Sequence, residues 1–172
     1  MEQKSGCALD RRDCSRLCTC IYTGILFWTA SEQCSDSMRP ELKNGDVVLV
    51  NRLVYNAMTP KRGDIIAFKP NGRENAHYYI KRIVGTAGET VQIKDGKVYI
   101  NGKEQKKDIF VSEIEKPGVA QDEITLGENE YFVLGDQASS SDDSRMADIG
   151  NVKRSEIYGK IWFNTSVGSN FG

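Results

Sequence analysis

The stretch V-Q-I-K-D-G-K-V-Y-I-N-G-K, Val91 to Lys103, decides the fold class. Asp95-Gly96 sits between two alternating runs, Val91–Lys94 and Lys97–Ile100. Such a pair is the strongest short-range hairpin signal, because the tightest hairpin turn needs positive φ at both central residues. Asn101-Gly102 ends the second run with another tight turn. Working outward, D-V-V-L-V-N (Asp46–Asn51), I-I-A-F-K after Gly63-Asp64, Y-Y-I-K-R-I-V (Tyr78–Val84), E-Y-F-V-L-G (Glu130–Gly135) and I-Y-G-K-I-W-F (Ile157–Phe163) are further strand-like runs. No long helical period separates them. The pattern predicts a mostly β fold of antiparallel strands. Residues 103–129 are polar and weakly patterned, as expected of an insertion or a long surface loop.

At 172 residues the chain is long enough to bury a core as one domain without disulfides. A net charge of −1 gives no global basic field, which points away from nucleic acid as a partner. All five cysteines (Cys7, Cys14, Cys18, Cys20 and Cys34) fall in the first 34 residues. A disulfide scaffold would distribute them through the fold. Their C-x3-C-x-C spacing is not a usual zinc pattern and no histidine stands near. They read as reduced, structurally incidental thiols, and neither metal nor cofactor is expected.

Arg11, Arg12 and Arg16 precede Leu17–Ala30, a run free of charge. Basic residues before an apolar run give the positive-inside arrangement. The run is shorter than the ~20 apolar residues of a full span. The expectation is a short cytoplasmic tail over 1–16, an apolar helix or membrane anchor over 17–33, and the folded domain over 34–172. A buried amphipathic helix is the alternative.

Two polar segments carry candidate chemistry. S-D-S-M-R-P, Ser35 to Pro40, follows the last cysteine, and G-D-Q-A-S-S-S-D-D-S-R, Gly135 to Arg145, directly follows a strand. A serine hydroxyl is a poor nucleophile until a base takes its proton. The single histidine, His77, stands in a turn with no positioning partner in sequence, and reads as an exposed polar residue. A lysine serves only when neutral, and burial favours the neutral form. Lys81 lies inside the apolar run Y-Y-I-K-R-I-V. Strand alternation puts Tyr79, Lys81 and Ile83 on one face and Ile80, Arg82 and Val84 on the other. An edge strand with both cations in water is the competing reading.

Taken together, these segments resemble the type I signal peptidases, membrane-bound Ser/Lys proteases that release exported proteins. The resemblance runs from Ser35 to Phe163 in the family's order. S-D-S-M-R-P-E-L resembles the nucleophile box, K-R-G-D-I-I-A-F-K the next, and Y-I-K-R-I-V-G-T-A-G-E-T-V the base box. The K-D-G-K-V-Y-I-N-G-K hairpin, the Gly135–Arg145 box and the closing G-K-I-W-F follow.

The resemblance implies Ser37, the serine before methionine, as nucleophile and Lys81 as general base. It implies that Ser141 orients the lysine amine, that Asp143 and Arg145 brace the site as an ion pair, and that Asp136 supports it. Met38 and Pro40 shape the nucleophile turn. The Ser37 backbone N–H would serve the oxyanion. Ser35 holds the position where some members carry a second oxyanion donor, although Asp36 is typical of members with glycine there. Gln137 and Ala138 depart from the family's usual asparagine and arginine. Thr29–Cys34 is more polar than the family's lead into the nucleophile box.

The implied function is removal of signal peptides from exported preproteins at A-x-A-like sites. The substrate would be bound as an extended strand. The implied location is the cell membrane, single-pass, with the catalytic part outside the cytoplasm and membrane lipid as a partner. Two alternatives stand beside it. One is a self-cleaving SOS-type repressor, which would need a DNA-binding helix-turn-helix that the first 34 residues do not supply. The other is a catalytically impaired, export-associated binding protein.

Overall fold

A computed structural model of the chain describes residues 27–30, 36–43, 46–70, 77–105, 114–140, 142–164 and 169–170. In chain order the strands are β1 (Phe27–Ala30), β2 (Val48–Asn51), β3 (Ile65–Phe68), β4 (Tyr79–Gly85), β5 (Thr90–Lys94) and β6 (Lys97–Ile100). They continue as β7 (Lys103–Glu104), β8 (Ile124–Thr125), β9 (Glu130–Leu134), β10 (Val152–Lys153), β11 (Ile157–Asn164) and β12 (Ser169–Asn170). The large sheet has the order β1-β2-β11-β3-β4-β9-β10, with β12 added on β11, and the small sheet has the order β7-β6-β5-β8. All the pairings are antiparallel. Among the described residues helix is confined to single turns, such as Val54–Ala57.

The hairpin forms as its residues dictate. Lys94 lies opposite Lys97, leaving Asp95-Gly96 as a two-residue loop with φ of 51° and 74°. Ile100 lies opposite Lys103, and Asn101-Gly102 repeats the turn with φ of 50° and 72°. Both loops have the positive pair that matches the right-handed twist of the flanking strands. The small sheet joins this hairpin to two short strands of the 103–129 stretch, β7 and β8.

Strand β3 is buried at all four positions, I-I-A-F. It lies between β11 and β4 with apolar layers on both faces, which is why it reads as a continuous apolar run. Ile65 and Ala67 join Met38, Leu42, Val48, Val50, Ile80 and Ile161. Ile66 and Phe68 join Tyr55, Ile83, Tyr131 and Val133 on the other side. A third cluster joins the sheets, with Val91, Ile93, Val98 and Ile100 packed on Val84, Phe132 and Leu134.

One expectation needs correction. Phe27–Ala30, the described part of the 17–33 stretch, is a strand, paired with β2 from Phe27 opposite Asn51 to Ala30 opposite Val48. The apolar helix expected there does not extend through these four residues. The edge of β2 gives their backbone a ladder partner, and that tertiary pairing decides their state. Residues 17–26 and 31–33 lie outside the described residues. Among the described residues no helix is long and apolar enough to cross a membrane.

Candidate active site

Ser37 sits in a single 3-10 turn, Asp36–Met38, on the connection from β1 to β2. Met38 and Leu42 are fully buried, and the Leu42 amide donates to the Met38 carbonyl at 2.9 Å. The turn is therefore pinned to the core by its apolar residues. A second tie comes from the loop after β9, where the Gln137 amide donates to the Ser37 carbonyl at 2.8 Å.

Lys81 projects from β4, opposite Ile66 on the fully buried strand β3. Its Nζ stands 2.5 Å from Ser37 Oγ, although the two residues are 44 positions apart. Each is 2% exposed. A lysine this buried normally needs a special reason, since burying an ammonium is costly. His77 is exposed on the approach to β4.

Arg82, the next residue, has separate partners. Its Nε and Nη2 grip both carboxylate oxygens of Asp136 at 2.7 Å each. Nη2 also reaches Glu41 at 2.6 Å, and Nη1 reaches the Gly63 carbonyl at 3.0 Å. One guanidinium thus links the nucleophile turn through Glu41, the lead into β3, and the loop after β9. The planar, forked donor set makes this possible where an ammonium would not. Burial pushes the Asp136 carboxyl above its ordinary range, with Arg82 opposing and Glu41 adding to the rise. Burial disfavours the Arg82 cation, but the Asp136 and Glu41 carboxylates more than reverse this and hold its pKa above the ordinary value.

The last segment folds on a buried ion pair. Arg145 Nε and Nη2 meet Asp143 Oδ1 and Oδ2 at 2.8 and 2.9 Å. Remaining donors reach the Ala138 carbonyl at 2.7 Å and the Lys116 carbonyl at 3.2 Å, while the Gly135 amide donates to Asp143 at 3.2 Å. Asp143 is 0% and Arg145 6% exposed, so these bonds satisfy charges held away from water. Ser144 closes the loop onto β9, its hydroxyl accepting from the Val133 amide at 3.0 Å.

The structure therefore brings Ser37 and Lys81 together and places Asp136, Asp143 and Arg145 in the segments that hold them. Ser35 and Ser141 lie outside the described residues. Sequence reasoning kept Arg82 away from the site and did not single out Glu41 or Ser144. The position of Glu41 inside the nucleophile box is a signal for it. Nothing local marks its partner.

The family model for signal peptidase, peptidase S26, matches residues 15–165. Signal peptidase I T of Bacillus subtilis (strain 168) is 37% identical over 134 residues, which is 74% of this chain and 68% of that protein. Signal peptidase I P of Bacillus subtilis subsp. natto is 34% identical over 132 residues, 72% of this chain and 69% of that protein. A solved signal peptidase I from Enterococcus faecalis V583 aligns at 36% identity with a TM-score of 0.46, over 60% of this chain and 97% of that one.

Proposed function

The chain belongs to the signal peptidase family of S26 peptidases, and from that premise we propose that it is a serine endopeptidase removing N-terminal signal peptides from exported preproteins. Ser37 is the nucleophile and Lys81 the general base. The observation that carries these roles is the 2.5 Å approach of Lys81 Nζ to Ser37 Oγ, both residues only 2% exposed.

Removing a lysine from water favours the neutral amine, whose lone pair accepts the hydroxyl proton. As Oγ bonds to the scissile carbonyl carbon, its proton passes to Nζ. The carbonyl oxygen becomes an oxyanion, stabilised by backbone N–H donors that include that of Ser37. Each such donor is worth about 3–4 kcal/mol where measured. The Lys81 ammonium then protonates the leaving amine, and the C–N bond breaks to leave an acyl-enzyme. A water gives a proton to the regenerated amine as it attacks the ester carbon; the C–Oγ bond then breaks, and Ser37 Oγ takes the proton back from the Lys81 ammonium.

Asp136 supports the site through Arg82, and the Asp143–Arg145 pair holds the loop bearing Ser141. Substrate binds as an extended strand, with small pockets reading A-x-A-like sites. The apolar run before β1, residues 17–26, ties the protein to the membrane, with the catalytic domain outside the cytoplasm. The test is cleavage of a preprotein peptide by the detergent-solubilised full chain, beside Ser37→Ala. Cleavage by the wild type alone is expected. Equal cleavage by the variant would end the assignment.

A further inference from the structure

At Ser37 the nucleophile turn is tied to the loop after β9, where the Gln137 amide donates to the Ser37 carbonyl at 2.8 Å. The residue before Gln137, Asp136, holds Arg82 through both carboxylate oxygens at 2.7 Å each. Arg82 follows Lys81 in the chain, and Lys81 Nζ stands 2.5 Å from Ser37 Oγ. The path from Ser37 through Gln137, Asp136, Arg82 and Lys81 thus returns to Ser37. Strand pairing steadies its frame, since Arg82 lies opposite Ile65 on β3 and Leu134 on β9.

A tie at the Ser37 carbonyl acts as a pivot, and the direction of Oγ depends on the angle of the turn about it. Glu41, four residues beyond Ser37, adds a second tie. Its Oε2 accepts from Arg82 Nη2 at 2.6 Å. It arrives from the solvent side, with its side chain 39% exposed, whereas Asp136 is buried. The next residue, Leu42, is fully buried, and its amide donates to the carbonyl of Met38 at 2.9 Å. A displacement at Glu41 therefore passes to the residue beside Ser37. Both ends of the turn are referred to one guanidinium, and through it to the strand that carries Lys81.

Charge balance does not call for Glu41. Asp136 already meets Arg82 with a forked pair, and a second, more exposed carboxylate adds little stability. Burial pushes the Asp136 carboxyl above its ordinary range and Glu41 adds to the rise, so the second carboxylate acts against the first. What Glu41 supplies is an acceptor oxygen at a fixed place.

We propose that Glu41 is a positioning residue for cleavage: its carboxylate oxygen, held by Arg82, sets the angle of the nucleophile turn and so aims Ser37 Oγ. The inference rests on the Ser37–Lys81 reading above and deepens it.

The test is steady-state cleavage of a preprotein peptide by the detergent-solubilised full chain, with urea unfolding of the same samples. Glu41→Ala should lower kcat about tenfold while KM and the unfolding midpoint stay near those of the wild type. Glu41→Gln keeps an oxygen that accepts from Nη2 and should restore kcat to within about threefold. Glu104→Ala removes a carboxylate of similar exposure, 48%, from its pair with Lys97 on the small sheet and should leave kcat unchanged. Wild-type kcat in Glu41→Ala, or an equal loss in Glu104→Ala, would overturn the proposal. So would a raised KM at unchanged kcat, which marks a substrate contact. A glutamine variant as slow as the alanine variant would assign the effect to charge, and a lowered unfolding midpoint in Glu41→Ala would make the residue structural; either result overturns it. Ser37→Ala in the same assay keeps the two readings apart. Cleavage by Ser37→Ala would end the function above, whereas full activity of Glu41→Ala beside an inactive Ser37→Ala would end this inference alone.

Discussion

Lys81 Nζ approaches Ser37 Oγ to 2.5 Å, with both residues 2% exposed, while the neighbouring Arg82 is clamped to Asp136 at 2.7 Å. Two adjacent basic residues on one strand thus have separate tasks. One meets a hydroxyl, and the other is held by two carboxylates.

Ser37→Ala and Lys81→Ala should each lower peptide cleavage by about 10³-fold or more, with the fold retained. Lys81→Arg should be equally inactive, since a guanidinium stays protonated at any accessible pH. His77→Ala should keep near-native activity, because His77 is exposed and off the dyad. Rates under single-turnover conditions check all four. An active arginine variant would remove Lys81 from the role of base.

Arg145→Ala leaves the Asp143 carboxylate buried without its bidentate partner and strips donors from the Ala138 and Lys116 carbonyls. Breaking such a pair from one side costs about 3–5 kcal/mol. Urea unfolding should show a loss of that order. A change below about 1 kcal/mol would mean that water replaces the guanidinium there.

Gly118 has φ +59°, and a Cβ at this position would stand 2.2 Å from the Arg145 carbonyl oxygen. That backbone already binds the Val119 amide at 3.0 Å, so it cannot yield cheaply. Gly118→Ala should destabilise by roughly 2 kcal/mol or more. Gly102→Ala, at φ +72° with nothing within 4 Å of the added carbon, carries only the backbone cost, roughly 1–2 kcal/mol. Paired unfolding midpoints compare them. Equal losses would show that the close approach to Arg145 relaxes freely.

Arg62 binds Glu89 and reaches Gln105 Oε1 at 2.8 Å, tying the lead into β3 to the small sheet. Burial raises the Glu89 carboxyl, but bonds from Thr86 and the Arg62 charge outweigh it and hold the group below its ordinary value of 4.5. The unfolded state therefore binds the proton more readily. Stability from Glu89 is fully present above that ordinary value and is lost as pH falls through the depressed one. Wild type should lose more stability on acidification than Glu89→Gln, by at most about 1 kcal/mol for a pair this accessible. Urea midpoints at neutral and acidic pH decide it, and parallel profiles would refute it.

Much of the fold was legible locally. β2, β3, β4, β9 and β11 lie where β-branched and aromatic runs stand, and both tight turns lie where Asp-Gly and Asn-Gly stand. The short strands β8, β10 and β12 were not legible, because two residues cannot display alternation. Strand β1 was misread for a different reason. F-W-T-A suits an apolar helix and a strand equally, and only the backbone of β2 beside it decides between them.

The sequence by itself determined the class of the fold and the hairpin, and it marked Ser37 and Lys81, which the fold brings together. These depend on φ preferences and on which face a side chain takes, both properties of neighbouring residues. Tertiary structure alone decided that Arg82 meets Asp136 and Glu41, 54 and 41 residues away, and that Arg52 and Lys69 converge on one tyrosine pair. Strand β11 lies between β2 and β3, though it follows them by some ninety residues, and brings Tyr158 beside Tyr78. That closure depends on long-range strand pairing, which leaves no mark in any short stretch of the chain.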